Sequence, residues 1–236
     1  MSQVTLNGIA IDYRVTGSGP AVLLSHGYGE TANMWRGQHA VLGARYRLIT
    51  WDMRGHGGTD ASNDPTRYSL EATVDDMRAL LAHVGEERAV IGGLSLGGYV
   101  SLAFYGAYPE MVRALLVCDS GPGYRSAQAR AAWNERARVR AMAQEQRGQL
   151  GLAHAARGML AQTDARVIDL LPSIRVPTLI VLGDQDEPFV APCEDMAKKI
   201  PGARLEIIRG AGHLSNVDQP DAFNRVVLDF LDSLPR

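Results

Sequence analysis

Residues 88–97 read Arg-Ala-Val-Ile-Gly-Gly-Leu-Ser-Leu-Gly, a short apolar run that ends in Gly93-Leu94-Ser95-Leu96-Gly97. Unbroken apolar character over a few residues suits a strand covered on both faces. Behind it, Leu96–Tyr108 keeps helical spacing and stops before Pro109. A serine in a sharp corner between strand and helix projects its hydroxyl from the sheet edge. Small residues on either side let the backbones come close enough to make that corner. The plainer reading is a glycine-rich turn that cradles a phosphate, but neither GxxxxGK[ST] nor GxGxxG occurs in the chain.

Outward from this corner the pattern repeats. Val4–Leu6 and Ile9–Val15 read as paired strands joined at Asn7-Gly8, a type I′ turn signal. Ala21–Ser25, Tyr46–Trp51, Ala114–Cys118, Thr178–Leu182 and Ala203–Ile208 read as further strands, giving eight with Arg88–Gly92. Helical spacing follows Ser69 through Leu70, Val74, Met77, Leu81 and Val84, and recurs over Ala191–Ile200 and Pro220–Leu234. Strands alternating with helices imply βαβ units, hence a mostly parallel sheet with helices on both faces. From Tyr124 to about Leu171 no strand appears, and Arg, Ala and Gln dominate at helical spacing. This stretch reads as an insertion of two or three helices.

The 236 residues carry 24 Lys+Arg against 26 Asp+Glu, a formal net charge of −2, with 46% hydrophobic residues. That composition excludes disorder and gives no global attraction to nucleic acid or to an anionic membrane. No apolar run approaches the ~20 residues that span a bilayer. Met1–Val15 alternates polar and apolar residues without the basic start or apolar core of an export signal. Cys118 and Cys193 read as free thiols in a reducing compartment, most simply the cytoplasm. No metal cluster or cofactor motif is present.

A serine nucleophile needs a base. Of the six histidines, His213 alone sits in a short loop (Gly210-Ala211-Gly212-His213) between the last strand and the last helix, where sites form in open α/β sheets. His83 and His154 fall in helical segments and read as solvated. The base needs an orienting acid, and Asp184, Asp186 and Glu187 follow the strand Thr178–Leu182. Asp186 is the choice, Asp184 the brace of its loop, and Asp119, at the end of Ala114–Cys118, the competitor. An acyl-transfer oxyanion needs two preplaced N–H donors. The Leu96 amide supplies one, and His26-Gly27-Tyr28-Gly29, after the third strand, supplies the other at Tyr28. Trp35 and Leu214 are candidates for a substrate pocket, with Tyr28 beside them, and Trp35 reads equally well as an ordinary core residue. Trp133, Met142, Leu152, Met159 and Leu160 read as packing residues of the insertion.

These motifs, in this order, resemble the α/β-hydrolase fold superfamily over essentially the whole chain, and most closely its small carboxylesterases and enol-lactonases. Asp52-Met53-Arg54-Gly55-His56-Gly57-Gly58-Thr59 is similar to that family's structural D-x-R-G-x-G loop, which makes His56 a bystander. Gly210–His213 followed by Pro220 resembles its catalytic-histidine segment. The resemblance implies a single α/β-hydrolase domain over 1–236, with an eight-stranded mostly parallel sheet and a reduced helical lid over 120–172. It implies catalytic roles for Ser95, Asp186 and His213, oxyanion donors at Tyr28 and Leu96, a small-molecule ester as partner, and no cofactor. The serine argues against dehalogenation and epoxide opening, for which the family uses aspartate. Lactonase, carbon–carbon hydrolase and perhydrolase activities share the same triad, and a ligand receptor that retains the triad is the reading from a different class. Family relatives commonly run longer, and the shortage falls between Asp119 and Pro177. That implies an open active-site mouth and a broad ester range. The arginines at 125, 130, 136, 138, 140 and 147 read first as a solvated helix face, and otherwise as an attraction for anionic substrates.

Overall fold

In the computed structural model, which describes residues 1–235, Asn7 and Gly8 both take left-handed backbone, with φ of 49° and 72°. A type I′ turn requires that pair of dihedrals. It folds β1 (Ser2–Leu6) back on β2 (Ile9–Thr16), with Leu6 opposite Ile9. The remaining strands are β3 (Ala21–Ser25), β4 (Arg47–Trp51), β5 (Ala89–Leu94), β6 (Val112–Cys118), β7 (Thr178–Gly183) and β8 (Arg204–Ile208). They form one eight-stranded sheet in the order β1-β2-β4-β3-β5-β6-β7-β8. β1 and β2 are antiparallel to their neighbours, and all pairings from β4 to β8 are parallel. The sheet is therefore the mostly parallel one read from the sequence.

Helices cover both faces. α2 (Leu70–His83), α3 (Leu96–Ala107) and α7 (Glu187–Lys199) lie on one side, where Met77, Leu80, Val100, Phe104 and Met196 are buried together. α1 (Arg36–Gly43) and α9 (Pro220–Ser233) lie on the other, where Leu42, Phe223, Val227 and Leu231 pack under β3, β4 and β6. Between β6 and β7 come α4 (Ala127–Gln146), α5 (Leu150–Ala155), a π turn at Ala156–Leu160, and α6 (Arg166–Leu170), with no strand. A four-residue helix α8 (Ser215–Asp218) precedes α9. No helix is long and apolar enough to cross a membrane among the described residues.

Two local features depart from the sequence reading, and a third decides between alternatives it left open. α1 carries no hydrophobic stripe, because the side chains it buries include Gln38 and His39. Gln38 is held by polar contacts instead, donating to Asn224 Oδ1 at 3.0 Å and to the Asn216 carbonyl at 3.2 Å. α7 begins at Glu187 rather than Ala191, with Pro188 in its first turn, where a missing N–H costs nothing. Trp35, a pocket candidate, belongs to the core: it is fully buried, its ring 6.2 Å from that of Phe223. An indole is large enough to fill the space between α1 and α9, and burying it there outweighs any role on a pocket wall.

The insertion also differs in part. Met142 is exposed rather than packed, and the inward face of α4 is made by Ala137 and Ala141. Small side chains there let the helix lie close, while Trp133 Nε1 donates to the Leu160 carbonyl at 2.7 Å and ties α4 to the π turn. Its arginines point outward: Arg138 pairs with Glu135, Arg125 with Asp169, and Arg140 lies over the Trp133 ring.

His39 couples this fold to pH. Its Nδ1 meets Thr16 Oγ1 at 2.9 Å and its Nε2 meets Thr50 Oγ1 at 3.2 Å, bridging β2 and β4 from α1. Burial, and then the Arg14 charge, push its imidazole down to about 4. Below pH 6.5 the unfolded chain takes up a proton that the folded one refuses, so stability is full above 6.5 and falls as pH drops toward 4. His39→Gln is expected to remove on the order of 2 kcal/mol of that loss, read as a shallower decline of the urea midpoint from pH 6.5 to 4. Buried His26 and His56, also shifted downward by burial, leave a residual slope.

Candidate active site

β5 becomes α3 with a single residue between them, Ser95, whose backbone takes φ 55° and ψ −115°. A non-glycine residue there is strained and persists only when its surroundings enforce it. They do. A β-carbon at Gly97 would lie 2.2 Å from the Ser25 carbonyl oxygen, and one at Gly93 would lie 2.5 Å from the Gly97 carbonyl carbon. The corner thus closes directly against the end of β3. Ser95 N–H donates to the Cys118 carbonyl at 2.9 Å, and the Ser95 carbonyl accepts from Ser120 Oγ at 2.6 Å. Ser95 remains half-buried rather than sealed.

His213 and Asp186 meet. The imidazole Nδ1 lies 2.8 Å from Asp186 Oδ2; the aspartate side chain is 5% exposed and the histidine 40%. A carboxylate accepts only, so Nδ1 carries the hydrogen, and in the neutral ring Nε2 is the acceptor. Phe189 stacks on the ring, centroids 4.8 Å apart at 25°. Asp184, read as a brace of its own loop, accepts from Gly210 N–H at 2.8 Å and so braces the histidine loop. Asp119, the competing acid, points elsewhere: it accepts from Gly183 N–H at 2.8 Å and from Ser215 Oγ. Ser95, Asp186 and His213 follow β5, β7 and β8, whose parallel arrangement brings all three to one edge of the sheet.

The His26–Gly29 loop follows β3. A β-carbon on Gly27 would meet the Ser95 β-carbon at 3.5 Å, so the loop passes beside the serine. Leu96 opens α3, where N–H groups have no partner within the helix. The side chain of Tyr28 leaves the loop, donating to the Leu152 carbonyl at 2.9 Å and thus touching α5. The loop's shape rests on two residues whose roles were not readable locally. His26 is fully buried; its Nδ1 faces the Gly27 carbonyl at 2.7 Å and its Nε2 accepts from Met53 N–H at 2.9 Å. Asp52 accepts from Ala32 N–H at 2.6 Å and from Gly58 N–H at 2.8 Å, which ties this loop to the one after β4. Arg54 forms a bidentate pair with buried Asp76. His56 is buried with its ring edge-on to Tyr28 at 5.6 Å.

Of the remaining site candidates, Leu214 is half-buried and leans on the α1/α9 core. His83 is exposed and meets the Tyr13 hydroxyl at 3.0 Å, whereas His154 is half-buried against Tyr68 rather than solvated. A cavity of about 440 Å³ flanks the His26–Gly29 loop, lined in part by Glu30, His56, Leu150 and Leu152.

Comparison with known proteins agrees with this fold. The sequence profile described as "Alpha/beta hydrolase family" matches residues 22–226. A putative 2-succinyl-6-hydroxy-2,4-cyclohexadiene-1-carboxylate synthase of Bacillus subtilis is 28% identical, over 95% of this chain and 96% of its own. The 3-oxoadipate enol-lactonase 2 of Acinetobacter baylyi is 29% identical, over 95% and 94%. A thermophilic esterase from Thermogutta terrifontis superposes with a TM-score of 0.88 at 28% identity, covering 98% of each chain.

The corner itself is testable. Gly97→Ala forces a β-carbon into backbone on β3, and a loss of about 3 kcal/mol or more is expected. Gly37→Ala is the control: its β-carbon would meet only Pro220, at 3.7 Å. It should stay within about 1 kcal/mol of the parent. Chemical denaturation midpoints of the two variants decide between a crowded corner and a tolerant one.

Proposed function

The chain belongs to the alpha/beta hydrolase family, and on that premise we propose that it is a serine hydrolase that cleaves small to medium carboxylic esters through an acyl-enzyme. The observation that supports this most directly is the 2.8 Å contact of His213 with Asp186 at the edge where Ser95 stands in its strained corner. In this reading His213 Nε2 takes the proton from Ser95 Oγ, which attacks the ester carbonyl. Asp186 holds the tautomer and stabilises the imidazolium. The N–H groups of Tyr28 and Leu96 receive the oxyanion. His213 returns the proton to the leaving alcohol, and water, deprotonated by the same imidazole, releases the acid. Neutral imidazole is required, so kcat/KM rises with pH as the ring deprotonates.

The 120–172 insertion acts as a reduced lid in this proposal. A histidine side chain left 40% exposed fits an open mouth and a broad substrate range. The two cysteines are buried and unpaired, which fits a reducing cytoplasm. Ser95→Ala and His213→Ala are each expected to lower 4-nitrophenyl acetate turnover on the order of 10³-fold or more with the fold intact by circular dichroism. Wild-type rates in either variant would sink the assignment.

A second reading is favoured by one feature of the chain. The insertion holds eight arginines against four acidic residues, and one of the relatives is an enol-lactonase. Attraction of a lactone bearing a carboxylate would follow from such a field. If it operates, kcat/KM for a carboxylated lactone falls steeply between 20 mM and 500 mM salt while that for a neutral ester stays level, because exposed charges are screened. Parallel salt profiles for the two substrates would leave the arginines as a solvated face.

A further inference from the structure

Beyond the residues that would touch substrate, two neighbours at the end of β6 contact all three of the loops that carry them. Asp119 is fully buried and sits in left-handed backbone with φ 44°. Its own N–H is fixed by the Val181 carbonyl at 2.8 Å. From that post its Oδ1 accepts from Gly183 N–H at 2.8 Å, three residues before Asp186. Its Oδ2 accepts from the hydroxyl of Ser215, two residues after His213. The next residue, Ser120, sends its hydroxyl the other way and donates to the Ser95 carbonyl at 2.6 Å. Close packing reinforces the arrangement, since a β-carbon on Gly98 would lie 2.6 Å from that of Ser120.

We propose that Asp119 and Ser120 form a positioning bracket that sets the register of serine, base and acid relative to one another. The inference rests on the serine-hydrolase reading and assigns its geometry a cause. The three loops leave the sheet on different strands, and no direct covalent or ladder constraint fixes the His213 loop against Ser95. A two-residue segment bonded to all three supplies one. Asp119 is suited to the task because a carboxylate accepts two donors at once, whereas an amide must turn a donor toward one of them. The charged and titratable groups around it are Asp186 and His213, on the loops after β7 and β8, with the thiols of Cys118 and Cys193 alongside. Burial pushes the Asp119 carboxyl up to about 6, with the Ser215 and Gly183 bonds pulling against that rise. Above that pH it accepts both bonds as an anion.

The test is steady-state hydrolysis of 4-nitrophenyl acetate by the full chain, with Tm measured on each variant. Asp119→Ala removes both acceptors, and kcat should fall about 100-fold, as for a displacement near 1 Å, with KM within about threefold. Asp119→Asn keeps the acceptor for Gly183 and offers a donor to Ser215, so kcat should recover to within about fivefold of wild type. Ser120→Ala and Ser215→Ala each cut one arm and should lower kcat about tenfold, with Tm lowered by several degrees but the fold retained; they carry the test if Asp119→Ala does not fold. Wild-type kcat in both serine variants overturns the bracket, as does wild-type kcat in Asp119→Ala. If Ser95→Ala is inactive while these variants are fully active, only the bracket fails. If Ser95→Ala itself turns over normally, the serine-hydrolase reading fails.

Discussion

The backbone of Ser25 leaves no room for a β-carbon at Gly93 or Gly97, and the architecture around the site depends on that contact. Because α3 can press its first turn against the end of β3, β5 turns into a helix within one residue. Ser95 is then held at a positive φ by packing on every side rather than by its own preference. The same approach brings the loop after β3 beside the serine, with Gly27 next to the Ser95 β-carbon. A larger residue at either glycine would separate them, and the strain at Ser95 would relax.

Around this corner the carboxyl ends of the strands are tied together by buried polar groups, not by apolar packing. Asp52 and His26 join the loops after β3 and β4. Asp119 joins those after β6, β7 and β8. Each such group must be satisfied to be buried at all, which makes the loops mutually dependent. The hydrophobic cores on the two faces of the sheet supply the general cohesion, while these few contacts fix where each loop sits.

Periodicity reads well where a helix buries an apolar stripe and poorly where it buries something else. α2, α3 and α9 showed themselves through leucine, valine and phenylalanine spacing. α1 did not, because Gln38 and His39 are its inward side chains and their partners, Asn224, Thr16 and Thr50, lie on other elements. The one available signal was topological: parallel β3 and β4 need a crossover between them. Trp35 illustrates the converse. Its place next to the loop after β3 suggested a pocket wall, yet only the packing of α1 against α9 shows that its ring fills a core.

From the sequence alone came the strand–helix alternation, the Asn7-Gly8 hairpin, the Gly-x-Ser-x-Gly corner and the candidate set Ser95, Asp186 and His213. These are local patterns, legible because backbone strain and burial impose residue types at fixed spacing. Tertiary structure decided which of two acids reaches the imidazole. Asp119 and Asp186 both follow a strand and both open on the same edge; the sequence favoured Asp186 but left Asp119 as its competitor. The distinction lies in contacts made across 27 and 96 residues of chain, Asp186 to His213 and Asp119 to Ser215. A side chain's partner at that separation depends on how the strands are ordered in the sheet, which no local pattern encodes.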